Sequence, residues 1–294
     1  MLLFIGTQSN GQGHATAYAQ ILADALGVPF EAVETVQGDT ALIATGRGTG
    51  GSRSIPVGGV AVQRAAGDVV ANGLPLAAEL LEAAAADIAF ADGSYRVVGT
   101  DRTIDLGEVA RSAGEAGLGG TAAWQPPIHT FPNGCHVCEI AVDIATGAPT
   151  IERYTVVDDF GTVINPLLVE GQVQGGVAQG IGQALLEEAV YDPDSGQLLS
   201  GSFMDYAMPR ADTAPAIDFS MLPVPCCTNP MGMKGAGEAG AIGAPPAVIN
   251  ALVDALAPLG VRHVDMPATP QRLWRLIHGS GHGALLFADG DALG

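Results

Sequence analysis

The sequence predicts an α+β fold with mixed sheets and long packed helices in two subdomains. Three observations carry this. Long stretches repeat apolar residues at helical spacing, shorter runs alternate polar and apolar residues as strands do, and the two types follow no regular strand–helix alternation.

Taken in order, the apolar run Leu2 to Ile5 reads as a strand leading into the glycine loop GTQSNGQGH. Residues 14–26 (HATAYAQILADAL) carry a helical pattern that stops at Gly27. VPFEAVETVQGDTALI reads as a strand between turns, and GTGGSRSIPVGG as a second glycine loop opening a long helical region over 57–86, broken near Gly73 and Pro75. Residues 88–105 read as a hairpin turning at Asp92-Gly93, followed by an edge strand. LGEVARSA is a short helix, and GTAAW, GCHVCEIAVDI and TIERYTVVDDFG are successive strands. Residues 165–188 form a second long helix, with Asn165 as its cap and Pro166 at its first position. A strand-rich stretch to about 223 precedes the loop MGMKGAGEAGAIG. PPAVINALVDALAPLG and TPQRLWRLIHG are closing helices, and a Gly-rich tail follows Gly279. The expected division is 1–160, 161–279 and the tail 280–294.

Composition narrows the function classes. With 12 Lys and Arg against 31 Asp and Glu the net charge is −19, a surface that repels nucleic acid and anionic lipid. No window of 18 residues is free of polar interruption, so no membrane span is expected, and the reading places the chain in the cytoplasm. Only 15% of residues are charged, which suits a chain that hides surface against another subunit or has an Ala-rich surface of its own. Glycine, 41 residues, gathers in three clusters at 46–51, 171–182 and 234–243. Clustered glycines serve tight turns and close helix packing, or let backbone amides approach a large ligand.

Cys135 and Cys138 have the spacing of a metal pair, but they lie in a predicted strand. The neighbours Cys226 and Cys227 do not complete a zinc set, so no metal ligands are expected. The opening loop imitates a dinucleotide fingerprint with Gly11 and Gly13, yet Thr16 stands where the third glycine belongs, and a nicotinamide fold is set aside. Its capacity for a phosphate remains. Amides at a helix start suit an anion, Gln12 adds a donor and an acceptor, and His14 a further donor. Ser52, Arg53 and Ser54 open the next helix with two hydroxyls and a cation, and Gln172 adds an amide near a third. Glu238 stands among glycines and small residues four positions after Lys234. A carboxylate dried by such a loop suits a proton acceptor, and the plainer reading is an acid at a helix start.

GTQSNGQGHATAYAQILADALGVPFE, GDT at 38–40, GTGGSRSIPVGG, VVDDFGTVINPLLVEGQVQGGVAQGIGQALLEE, NPMGMKGAGEAGAIGAPPAVINAL and PATPQRLW stand in one order along the chain. Together they resemble the molybdenum hydroxylases, the superfamily of xanthine dehydrogenase, aldehyde oxidoreductase and carbon monoxide dehydrogenase. The resemblance implies a molybdopterin-binding domain and a cofactor of the molybdopterin cytosine dinucleotide type. It makes Glu238 the catalytic base beside the metal, without ligating it. Gln12, Gly13, His14, Ser52, Arg53, Ser54, Gln172 and Lys234 become cofactor contacts. It also implies oxidation of an aldehyde, an N-heterocycle or carbon monoxide with oxygen from water. The preceding half of the molybdenum subunit, an iron–sulfur subunit and an FAD subunit would be separate partners in a heteromer. The other reading is a truncated, non-catalytic relative folded as a scaffold without cofactor.

Overall fold

The structure is a computed structural model and describes residues 1–279; the Gly-rich tail expected from residue 280 lies outside the described residues. Two compact units interleave along the chain. The first comprises 1–131, 161–168 and 224–235, and the second 132–160, 169–223 and from 236 onward. The expected division after residue 160 falls where the chain passes back from the second unit to the first.

The first unit opens with β1 (Leu2–Phe4), α1 (His14–Leu26) and β2 (Glu34–Val36). β1 and β2 pair in parallel, so the opening is a strand–helix–strand crossover after all, though its sheet stops at two strands. Only Glu34–Val36 of the expected second strand is extended, because Phe30–Ala32 coil into a 3-10 turn.

α2 (Ser54–Leu80) runs through Gly73 and Pro75 as one helix rather than breaking there. Tyr95 packs against this stretch of the helix. A Cβ on Gly73 would stand 2.2 Å from its hydroxyl, which donates to the Val70 carbonyl at 2.9 Å and so packs into the helix where proline weakens it. β3 (Ile88–Ala91) and β4 (Ser94–Val97) form the expected hairpin, and β5 (Thr103–Asp105) completes a three-stranded antiparallel sheet. Both turn residues adopt positive φ, 49° at Asp92 and 76° at Gly93, which a two-residue turn of this hand requires. α3 (Leu106–Ser112) is capped by Asp105, whose carboxylate accepts from the Glu108 amide. The core joins Leu3, Ile5, Tyr18, Ile21, Leu22 and Leu26 with Val62, Ala66, Tyr95 and Val109.

In the second unit β6 (Asn133–Val142) and β7 (Pro149–Asp159) form a long antiparallel pair, and β8 (Ile217–Met221) joins β7 in parallel. The expected GTAAW strand is irregular chain, and β8 is all that is extended in the stretch expected to be strand-rich before 223, apart from an isolated bridge between Tyr191 and Leu198. α4 (Pro166–Leu185) starts on the predicted cap, with the Leu168 amide donating to Asn165 Oδ1. α5 (Ala239–Leu256) begins within the third glycine cluster, earlier than the sequence suggests, and α6 (Pro270–Gly279) closes the described chain.

Small residues let α4 and α5 approach closely. A Cβ on Gly176 would meet Gly240 Cα at 3.0 Å, and one on Gly180 would meet the Ala244 methyl at 2.6 Å. Several glycines of the second and third clusters therefore serve helix packing. α5 with its continuation to Leu259 is long and apolar enough to cross a membrane by length and composition, where the sequence leads one to expect no such helix. Here Val248, Leu252 and Leu256 enter the unit's core with Tyr154, Val177 and Ile181.

Candidate cofactor site

Two glycine loops of the first unit are laced together. The chain at Gly6 lies so near Thr45 and Gly46 that a Cβ would stand 2.6 Å from the Thr45 carbonyl oxygen. Thr49 Oγ1 donates to the Gln8 carbonyl, accepts from the Gln8 amide at 3.3 Å, and lies 3.0 Å from Ser54 Oγ. The loop 6–13 and the loop 46–54 are thus one structure, joined through a threonine the sequence reading did not name.

Gln12 is turned onto its own loop, where Oε1 accepts from the Asn10 amide and from Ser9 Oγ. What its side chain retains for a ligand is the Nε2 donor. Gly13, at φ 76°, precedes α1 and lies against Leu168. His14 is 3% exposed, and burial lowers its pKa below the ordinary value. Its Nδ1 lies 3.5 Å from Gln37 Nε2, and its ring tilts against Tyr18. The ring expected as a further donor in the loop is therefore a buried imidazole.

Ser52 is in the left-handed region at φ 52°, a conformation non-glycine residues seldom hold without support. Part of that support is Gly235, which packs directly on the Ser52 carbonyl oxygen. Arg53 is exposed at the start of α2, while Ser54 is buried and its carbonyl accepts from the Tyr18 hydroxyl at 2.8 Å. Gly58 allows this reach, because a Cβ there would stand 2.5 Å from the Tyr18 hydroxyl oxygen. The loop carrying Lys234 is fixed by Asn229, which donates to the Pro56 carbonyl and accepts from the Met231 and Met233 amides. Asn229 is 4% exposed and was also missed. Its one sequence signal is its place before proline in TNPMGMK.

The second unit holds the other two candidates. Gln172, on α4, donates Nε2 to the Gly237 carbonyl at 2.7 Å, and Glu238 is the next residue. Glu238 precedes α5 without capping it through its side chain, and it is exposed in this chain. The desolvation expected of this carboxylate is therefore not supplied by the chain's own packing. Within its unit the structure brings Gln12, Gly13, Ser52, Arg53, Ser54 and Lys234 onto connected loops; it brings Gln172 and Glu238 together in the other.

The helix starts differ in a telling way. α3 and α4 are capped by Asp105 and Asn165, and the α6 start has the Arg272 amide near Thr269 Oγ1. α1, α2 and α5, which begin at the candidate loops, carry no side-chain cap bond and no acid in the first turn. Their first amides keep the partial positive charge that suits an anion. Gly11, Gly50 and Gly51 have nothing within 4 Å of an added Cβ. Gly11 and Gly51 have positive φ, whereas for Gly50 neither strain nor packing explains the missing side chain. A phosphate-bearing ligand at bare loop backbone and uncapped helix starts fits this unit.

Cys135 and Cys138 both lie on β6 rather than on a turn, three positions apart and so on opposite faces of the strand, and their thiols are free. Burial, with Glu139 beside it, pushes the Cys138 thiol up to about 11.

Residues 1–215 match the family model described as the molybdopterin cofactor-binding domain. The nicotine 6-hydroxylase large subunit of Paenarthrobacter nicotinovorans is 39% identical over 285 residues, covering 93% of this chain and 35% of its own length. The carbon monoxide dehydrogenase large chain of Hydrogenophaga pseudoflava is 37% identical over 279 residues, covering 92% of this chain and 35% of its own length. The solved quinoline 2-oxidoreductase of Pseudomonas putida 86 superposes with a TM-score of 0.85 at 40% identity, over 94% of this chain and 36% of that one. The chain therefore spans about a third of the length of these relatives, rather than the half that the motifs suggest.

Proposed function

The chain belongs to the molybdopterin cofactor-binding domain family, and on that premise we propose that it is part of the catalytic subunit of a molybdenum-dependent oxidoreductase. The substrate is a small molecule, an aldehyde, an N-heterocycle or carbon monoxide, oxidised with oxygen from water. The relatives' names point to nicotine, quinoline and carbon monoxide as the classes to try first.

The observation that carries this reading is the set of uncapped helix starts at the laced glycine loops. We assign the cofactor as the cytosine dinucleotide form. Gln12 through Nε2, the amides at Gly13 and His14, and the hydroxyl, guanidinium and amides of Ser52, Arg53 and Ser54 would hold its pyranopterin and phosphates. Lys234 adds a cation, and Gln172 contributes its remaining amide oxygen. When bound, the molybdenum centre supplies two-electron oxidation and transfer of water-derived oxygen.

Glu238 accepts the proton released when water is activated, at its carboxylate oxygens. Gln172 holds the Gly237 carbonyl and so fixes the backbone entering Glu238. Because Glu238 is exposed here, another polypeptide completes and dries its surroundings. Leu199, Phe203, Met204 and Met208 stand exposed along one segment, Phe203 at 80% and Met204 at 94%, as a chain with a docking partner would leave them. The partners are the rest of the molybdenum subunit, an iron–sulfur subunit and an FAD subunit.

The test is purification from the source with bound chains retained, followed by metal analysis and acid release of nucleotide. Molybdenum and a cytidine nucleotide in equal amounts are the expected result. A preparation with its partners but without molybdenum would sink the reading and favour a scaffold.

A further inference from the structure

His136 lies on β6, outside every motif assigned above, and its ring rests on α5. A Cβ added to Gly243 would stand 2.5 Å from the ring Cε1 and 2.6 Å from Nδ1, so only glycine admits the ring at this depth. Gly243 follows Ile242, whose amide donates to the Glu238 carbonyl at 2.9 Å. The contact is therefore made in the helical turns that begin at Glu238.

The ring is itself held from β7. His136 pairs with Val156 in the strand register, which places Tyr154 and Asp158 on the same face as diagonal neighbours. Nδ1 lies 2.9 Å from the Tyr154 hydroxyl, and Nε2 lies 3.5 Å from Asp158 Oδ1. The Tyr154 hydroxyl thus pairs with Nδ1 on one side of the ring, and the Asp158 carboxylate faces Nε2 on the other. The His136 and Asp158 side chains are 8% and 3% exposed. Gly134 leaves room for Asp158, since a Cβ there would stand 1.8 Å from Oδ1. Asp158 meets the ring through Oδ1, while Oδ2 is buried without a hydrogen-bond partner among the described residues, a costly arrangement for a carboxylate.

We propose that His136 is a positioning residue: its ring, clamped by Tyr154 and Asp158, sets where the first turns of α5 rest on β6, and thereby where the Glu238 carboxylate stands. This rests on reading Glu238 as the proton acceptor. A phenylalanine would fill the same space but would leave Tyr154 and Asp158 unpaired. The histidine is thus explained by the orientation it gives as well as by its volume.

The test is a double-mutant cycle in the assembled holoenzyme, with Gly243→Ala, His136→Ala and the pair, and with amide exchange at Ile242 followed alongside turnover. Each single change should lower kcat about tenfold with KM within about twofold and molybdenum content unchanged, and should quicken Ile242 exchange about tenfold. The double variant should be no worse than His136→Ala alone, because the atoms nearest the methyl added at position 243 are those of the ring that His136→Ala removes. Costs that multiply, an unchanged kcat beside faster exchange, or loss of molybdenum in the single variants would each overturn the proposal. Failure of the underlying reading shows separately, as turnover retained by Glu238→Gln.

Discussion

Gly235 packs against Ser52 so tightly that a Cβ on the glycine would stand 2.0 Å from the serine carbonyl oxygen. Two loops far apart in sequence meet there backbone to backbone, at a serine held in the left-handed region. The approach is possible for glycine alone. Gly235→Ala should displace either Ser52 or Lys234, at a cost of about 1–3 kcal/mol. Molybdenum content per protein should drop with the melting temperature. A variant that melts lower but keeps its molybdenum would show that the Ser52 loop takes no part in holding the cofactor.

Glu238→Gln keeps the shape of the side chain and removes its ability to take a proton. In the assembled enzyme we expect kcat to fall by about 10²–10⁴-fold with cofactor content intact. The measurement is steady-state turnover beside molybdenum analysis on one preparation. Retained turnover would move the base elsewhere.

His14 gives a pH prediction whose sign follows from its burial. Its folded pKa lies below the ordinary 6.5 because the ring is desolvated, so the unfolded chain binds the proton more readily. The stability from the neutral ring is fully present above about 6.5 and is lost as pH falls from there through the folded value. Urea midpoints should therefore drop between pH 7.5 and 5.5, and the drop should shrink in His14→Gln, which lowers both midpoints by lost packing. An equal drop in wild type and variant would remove His14 from this role.

What could be read from residue order was mostly local. The Asp92-Gly93 turn, the Asn165 cap and the α1 helix follow from turn chemistry, capping and periodicity, and all stand where they were expected. Relationships set by tertiary contact were not legible. Nothing near Gly73 announces that the Tyr95 hydroxyl will lie against it and donate to the Val70 carbonyl. Nor does GCHVCEI reveal that His136 will face Tyr154 and Asp158, because a one-residue change of register would turn it to the other face. The glycine clusters were legible as clusters, but which glycines pack helices and which lie open depended on coordinates. Gly176 and Gly240 belong to the first kind, Gly11 and Gly50 to the second. His14 reads as a loop donor in the motif, yet the fold buries its ring.

Gly171 and Gly175 lie one turn apart on α4, and a Cβ added to either meets nothing within 4 Å. Neither has a positive φ, so alanine is compatible with the backbone at both. Glycine inside a helix costs about 0.5–1 kcal/mol relative to alanine, and this chain's own packing gives no return for that cost. The purified chain carrying Gly171→Ala and Gly175→Ala should therefore melt higher, by on the order of 2–4 °C for each kcal/mol gained. If a partner subunit or the cofactor approaches this face closely, the same changes should reduce recovery of the assembled complex. Stabilisation of the lone chain together with weaker assembly is the expected pair of results, read by thermal melting and by co-purification. Undiminished assembly would show that nothing docks on these two positions, and the open face of α4 would then be solvent-facing helix alone.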